Sequence, residues 1–447
     1  MTTTTDTTDV YAEQFFKWAR ILGRDCPAWL HPVRQAALAQ FAERGFPTMR
    51  DEDWRHTNVA PVASTEFVPA QAHAAKVTPE QIQQFRLRGD DEAVMVFVNG
   101  YFAGHLSDVT TLPEGVRGMN LAEALAVDLP VVKEHFARLV KSQDNAFVAL
   151  NTAFAQDGAV IDIPPDVVVE TPIHLLFVAT AEEQPVVAHP RNLIVAGDNS
   201  SFRVIEHYVA LDQGVYFNNA VTELFTGDNL AGDHCKVIRE SDQAYHIATL
   251  QMRQGRSNRI TSQTICLGGA LVRNDINPVL DGEGAESSLD GLYMLDGAQH
   301  TDNHLCVEHR SPHTSSRECF RGILDGKSRG VFCGRIIVRP GAQKTDAKQS
   351  NMNILLSGQA QIDTKPQLEI LADDVKCTHG ATIGQIDPDA IFYFRSRGIA
   401  EDAARNLLVY AFAREGLSSV QDERLRAQLE EVVLSRLPDG ELLRGVV

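Results

Sequence analysis

"DGAQHTDNH", residues 296–304, returns as "PGAQKTDAK" at 340–348, and a weaker copy, "SGQAQIDTK", begins at Ser357. Gly297 and Gly341 stand 44 residues apart. A turn that recurs with the same residues marks a repeat fold, in which each unit buries its apolar face against the next. Two coils of about 22 residues each would fit that interval and point to a parallel β-helix. A β-sandwich is the other architecture that short, evenly spaced strands allow.

The chain around the echo has the texture of strands. From 147 to 386, helical periodicity disappears and short runs rich in Val, Ile and Thr alternate with Gly, Asp and Asn turns. Examples are "AVIDI", "IHLLFVAT", "NLIVAG", "FRVIEHYVA", "KVIRES", "IIVRPGA", "NILLSG" and "LEILADDVKC". "LDGKSRG" (324–330) looks at first like a nucleotide loop, but the position that a P-loop reserves for its first glycine is Arg321. A turn with a basic tip is the simpler reading. Neither a dinucleotide fingerprint nor H-E-x-x-H occurs in the chain.

Helices are expected on both sides of this β body. Residues 1–9 read as a disordered tail, and 10–146 as a mainly helical region with a hairpin. Tyr11, Phe15, Phe16, Ala19 and Ile21 follow a helical interval until Gly23 and Pro27 stop it. "HPVRQAALAQFAERGFP" gives a second helix, with Pro32 near its start and Gly45 at its end. In "MVFVNGYFAGHL" (95–106), alternating apolar residues flank Asn99-Gly100, a strong hairpin signal. From 387 to 447 helices return. Asp387 is placed as N-cap, Pro388 at the first helical position and Gly398 as the stop. "AEDAARNLLVYAFAREG" should end at Gly416, and Leu425, Leu429, Val432, Val433 and Leu437 share one face of a last helix.

Composition narrows the function. The 447 residues carry a formal net charge of −18 and no dense Lys/Arg run, which argues against nucleic-acid binding. No run approaches the roughly 18 apolar residues of a membrane helix, and the start lacks the pattern of a signal peptide. A cytoplasmic protein is expected, with no membrane partner. Seven cysteines stand at 26, 235, 266, 306, 319, 333 and 377, with no C-x-x-C pair. Neither a disulfide framework nor a zinc ribbon fits that spacing.

Two constellations could carry chemistry. His300, His304, Cys306, His309 and His313 fall within fourteen residues. On an extended strand His300, His304 and Cys306 share one face, with His309 and His313 on the other. A closed four-ligand site would need the chain to fold back, so a metal site and a structural or partner-facing row both stand. "DDVKCTHGATIG" (373–384) places Val375, Cys377 and His379 on one strand face. A thiol beside an imidazole suits iron or zinc ligation. It suits a nucleophile–base pair poorly, because neighbouring side chains on one strand point in parallel. A packed turn remains the plain alternative.

"GRIIVRPGAQKTDAKQSNMNILLSGQAQIDTKPQLEILADDVKCTHGATIGQIDPDAIFYFRSRGI" (334–399) closely resembles the shared core of the SufB and SufD family, scaffold proteins of the SUF iron–sulfur assembly system. "NTAFAQDGAVIDIP" (151–164), "PIHLLFV" (172–178) and "MRDEDWRHTNV" (49–59) extend the resemblance over most of the chain. Its SufD branch is the nearer: SufB-type chains are usually longer with a cysteine-rich early segment, whereas Cys26 is the one cysteine here before 235.

The resemblance implies a right-handed parallel β-helix between helical N- and C-terminal regions, and a scaffold rather than an enzyme. It implies that Cys377 and His379 lie at the interface with a SufB-like subunit, where a transient Fe–S cluster is assembled and none is held permanently. It also implies that about 387–417 docks a SufC-like ATPase. Asp387, Phe392, Tyr393, Arg395, Arg397 and Arg405 mark that region. Strands around 340–372 are expected to pair with the partner. The rivals are a SufB-like scaffold acting as a homodimer and a metal-dependent enzyme built on His300–His313.

Overall fold

The structure, a computed structural model, describes residues 26–71, 76–87, 92–438 and 440. The expected tail (1–9) and the helix read over 9–22 lie outside the described residues.

Successive strands alternate between two long sheets. One carries Arg191–Ala196, Tyr216–Thr226, Tyr245–Gln254, Leu271–Leu280, His300–His309, Arg329–Val338 and Gln361–Ile370 in that spatial order. The other carries Ile173–Ala179, Ser201–Ala210, Ala231–Arg239, Arg259–Cys266, Glu286–Leu295, Ser315–Leu324, Asp346–Leu355 and Lys376–Gly384. Within these runs every neighbour is parallel. Skipping one strand at each pairing while staying parallel is the topology of a β-solenoid, and it rules out an antiparallel sandwich.

The coil length differs from the 22 residues expected. His300 pairs with Arg329 and Arg329 with Gln361, so one coil takes about 30 residues. "DGAQHTDNH" leads into His300–His309 of the first sheet, whereas "PGAQKTDAK" leads into Asp346–Leu355 of the second. The echoes are therefore three half-coils apart. What recurs is the corner, because both edges of a solenoid need the same tight turn.

Corner chemistry is visible in the backbone. Asn199, Asn229, Ser257, Gly284, His313 and Lys344 each precede a second-sheet strand by two residues, and all have φ between 54° and 70°. That left-handed conformation favours Gly and Asn. "LDGKSRG" is a corner too. A Cβ on Gly326 would lie 2.8 Å from the Gly297 nitrogen of the preceding coil, so the stack closes only over glycine.

Interior-facing residues alternate with outward ones along each strand. Phe202, Val204, Ile238, Ile260, Leu289, Phe320, Phe332 and Ile336 fill the axis. The outer face of the first sheet is covered from the N-terminal side. Phe41 of helix Leu30–Arg44, Trp54, and Phe147 of helix Ala146–Phe154 pack on Phe217, Ile247 and Leu271. The second sheet is covered from the C-terminal side, where Tyr410, Ala413, Leu425, Leu429 and Val433 pack on Cys235, Val237, Ile265, Leu292 and Ile323. Each fully buried Val, Leu, Ile or Phe among them contributes about 1.5–3 kcal/mol.

Local expectations mostly match. The second helix ends at Gly45, and Asn99 and Gly100 (φ 48° and 84°) turn the hairpin between Ala93–Val98 and Tyr101–Phe102. Asp387 caps helix Pro388–Ser396, its carboxylate accepting from the Asp389 N–H. Helix Glu401–Leu417 runs past Gly416, which does not stop it. A Cβ there would press on Leu292 at 3.3 Å, so this glycine serves close helix–sheet packing. "LEILADDVKC" is split, its first residues ending one sheet and Lys376 opening the other. Among the described residues, no helix is long and apolar enough to cross a membrane.

Candidate functional site

Among the described residues, the last strand of each sheet, Gln361–Ile370 and Lys376–Gly384, is paired on one side only. Cys377 stands opposite Ala347 and His379 opposite Gln349, both buried interior positions. Cys377 and His379 therefore share one strand face, as their spacing predicted; that face turns toward the solenoid axis, and among the described residues no further coil covers it. Cys377 is half-buried against the interior apolar cluster, and His379 is exposed. Burial pushes the Cys377 thiol up, with the Ala347 N–H pulling it down and Asp346 adding to the rise.

The opposite wall of this open end is Thr364, Pro366 and Leu368, in register with Phe332, Gly334 and Ile336. Thr364 Oγ1 is buried without a hydrogen-bond partner. Ile370, Leu371 and Ile383 expose apolar surface around the rim. Of the 340–372 stretch expected at a partner interface, only Gln361–Ile370 has an edge left free by the described residues. Asp346–Leu355 is hydrogen-bonded on both sides, and the second free edge belongs to Lys376–Gly384.

Beneath the open end lies a polar floor. Gln349 Nε2 donates to Glu318 Oε2 at 2.5 Å. Glu318 is fully buried, and burial, partly offset by Gln349, pushes its carboxyl up to about 8. Tyr293 donates to Asn353 at 2.5 Å, Asn351 donates to the Tyr293 hydroxyl at 3.2 Å, and Asn353 donates to Asn351 at 2.7 Å.

The histidine row is dispersed. His300, His304 and Cys306 do share the outward face of strand His300–His309. His309 faces inward and bonds Thr314 and Ser316 at 2.8 and 3.0 Å. His313 is on no strand face, because it is the left-handed residue of a corner. His300 bonds Thr57 at 2.9 Å, and burial lowers its ring to about 4. His304 lies 3.1 Å from Asp302, which Arg273 holds at 2.8 Å; Cys306 accepts from Arg335 at 3.5 Å. His304, Cys306 and Cys333 line a cavity of about 400 Å³ beside the 51–54 loop. Among the described residues, no three His, Cys, Asp or Glu side chains stand where they could hold a metal ion. The five residues do not form one ligand set.

The C-terminal helices present a different surface. Helix Pro388–Ser396 buries none of its residues; Phe392 is 71% and Tyr393 57% exposed. Arg397 lies over the Tyr393 ring at 5.3 Å, and Arg395 pairs with Glu401 at 3.1 Å. Arg405 is set apart on the next helix, lining a cavity of about 640 Å³ with Asp242, Asp296 and Arg436.

Sequence reasoning missed Glu318, Gln349 and Thr364. Aligning the chain at about 30 residues, rather than 22, would have put Glu318, Gln349 and His379 in one column. It also missed that 51–57 straps the first sheet through Arg273, Asp302 and Lys365.

Comparisons with known proteins match one family over most of the chain. Residues 177–412 match the family model described as SUF system FeS cluster assembly, SufBD core domain, and residues 5–175 match the SufBD protein N-terminal region. An iron–sulfur cluster assembly SufBD family protein of Synechocystis sp. is 33% identical over 90% of each chain. The iron–sulfur cluster assembly protein SufD of Escherichia coli is 31% identical, covering 92% of this chain and 93% of the relative. SufB of Bacillus subtilis is 27% identical over 86% of this chain and 84% of its own.

Proposed function

Because the chain belongs to the SufBD family of iron–sulfur cluster assembly proteins, we propose that it is a non-catalytic scaffold subunit whose open solenoid end closes against a SufB-like partner around a nascent cluster. The observation that carries this reading is that Cys377 and His379 sit on the interior face of the last coil, uncovered, between two free strand edges. Free edges pair readily with another chain, and the apolar rim of Ile370, Leu371 and Ile383 would be buried by such pairing.

Two donors from one chain leave an iron ion undercoordinated, so the rest of the ligands come from the partner. The cluster is cargo here. The thiol of Cys377 is neutral at pH 7, and iron binding would displace its proton. The imidazole of His379 offers the second donor two residues along the same face. Helix Pro388–Ser396, with Phe392 and Tyr393 outward, is the dock for a SufC-like ATPase, and ATP-driven movement there would favour one arrangement of the paired scaffolds. The complex would work in the cytoplasm.

The test is a reconstituted three-component complex carrying Cys377→Ser and His379→Ala. Folding and ATPase binding stay intact and cluster yield falls; wild-type yield refutes the assignment. An end-to-end homodimer is the second reading, since the same free edges suit a second copy, and sedimentation with and without the partner separates the two. Truncation after Ile386 would not test docking cleanly, because it strips Val409, Leu425 and Leu429 from the second sheet.

A further inference from the structure

The geometry points to Gln349 and Glu318 as positioning residues for His379, with the Gln349 carbonyl accepting one imidazole N–H and the other ring nitrogen left bare for a metal ion. The inference rests on the open end being a cargo site.

Three successive coils put Glu318, Gln349 and His379 in register on the interior face. The amide of Gln349 is fixed by its donation to Glu318. It also fills the space that a side chain at position 334 would occupy: a Cβ on Gly334 would lie 2.1 Å from Gln349 Nε2. With Nε2 spent on Glu318, the other amide atom, Oε1, remains. It is buried and has no hydrogen-bond partner, and Gln349 as a whole is 3% exposed. A buried acceptor left unmade is disfavoured by about 1–3 kcal/mol, and the donor next in register is the ring of His379.

Glu318 matters because it must accept, not repel. Its surroundings are apolar: Leu289 stands on the preceding coil, and Leu305, in register with Gly334, is on the opposite wall. A histidine whose far N–H is held by an acceptor has a fixed tautomer and a more basic ligating nitrogen. Leucine at 318 would free the Gln349 amide to turn and offer N–H where the carbonyl stood. Glutamine at 318 keeps an acceptor for Nε2.

The experiment uses the full chain with 15N-labelled imidazoles, and Co2+ alone as the metal probe. In the wild type, His379, identified by its loss in His379→Ala, shows a single neutral tautomer. Gln349→Leu and Glu318→Leu mix the tautomers and weaken Co2+ binding about tenfold, whereas Glu318→Gln behaves as wild type in both readouts. Circular dichroism confirms that each variant folds, and the near-isosteric Glu318→Gln serves as the rescue that a merely packing role would not predict. Unchanged tautomer signals and unchanged Co2+ affinity in Gln349→Leu and Glu318→Leu overturn the inference. If His379→Ala itself leaves Co2+ binding intact, the cargo-site reading fails instead, and the tautomer signals still decide whether Gln349 positions the ring.

Discussion

Replacing Glu318 by glutamine should flatten a loss of stability that the wild-type chain suffers as pH rises from 5 to 8. Glu318 is fully buried, and burial raises its carboxyl from 4.5 to about 8. A raised carboxyl means that the native state keeps a proton the unfolded chain has released. That contribution is complete below pH 4.5 and is lost as pH climbs through 8. Between those limits the slope is about 1.4 kcal/mol per pH unit, on the order of 5 kcal/mol over the interval. Such a sum is comparable with the whole net stability of many domains.

Burial also raises the carboxyls of Asp157, Asp233 and Asp290, whose contributions are lost in the same direction as pH climbs, while other shifted groups act on the acid side. In Glu206, Lys236 and His234 outweigh burial; in Asp302, His304 and Arg273 outweigh it. Both carboxyls are lowered, so their contributions are lost on the acid side, as pH falls. Burial lowers His300 and His309 to about 4, and their contributions are likewise lost as pH falls below 6.5. They act equally in both proteins and cancel in the difference. Urea midpoints of wild type and Glu318→Gln at pH 5, 6, 7 and 8 give that difference directly. Parallel profiles would refute the reasoning, because a neutral buried amide has no proton to lose.

Arg273→Ala removes a guanidinium that holds Asp302 and Asp275 at 2.8 Å and lies 3.9 Å over the Trp54 ring. Two acidic groups then lose their cation, which should cost about 3–5 kcal/mol and open the 51–57 strap to limited proteolysis; an unchanged melting temperature and digestion pattern would contradict this. Phe392→Ser with Tyr393→Ser should leave the melting temperature unmoved, since both rings are exposed. The same pair should abolish capture of the ATPase in a pull-down, and retained capture would move the dock elsewhere.

Strand positions were legible where Val and Ile dominate, as in "IHLLFVAT" and "FRVIEHYVA". They were hard to read where the interior is polar: "HTDNHLCVEH" and "DAKQSNMNIL" form full strands whose Asn side chains bond other asparagines inside the coil, while Gln349 bonds Glu318. Repetition identified the solenoid, but corner residues recur at both edges, so the interval between echoes overstated neither sheet and misjudged the coil. His313 was assigned a strand face because spacing carries no φ. That Cys377 and His379 share one strand face was legible, since strand alternation needs only a local count. Their exposure at the end of the solenoid, and the Glu318–Gln349 floor beneath them, depend on which strand comes last and what stands in register one coil away.

The corner arrangement sets a unit of length for the whole molecule. Removing about 15 residues, one half-coil, would send every later strand to the opposite sheet and strand Leu292 and Ile323 away from the C-terminal helices that cover them. Removing about 30 would keep each strand on its own sheet and shift the open end along the axis by about 4.8 Å. The distance between the Cys377/His379 end and the N-terminal helices can therefore change only in whole coils, so a relative with a longer or shorter span between them should differ by an insertion or deletion near that size.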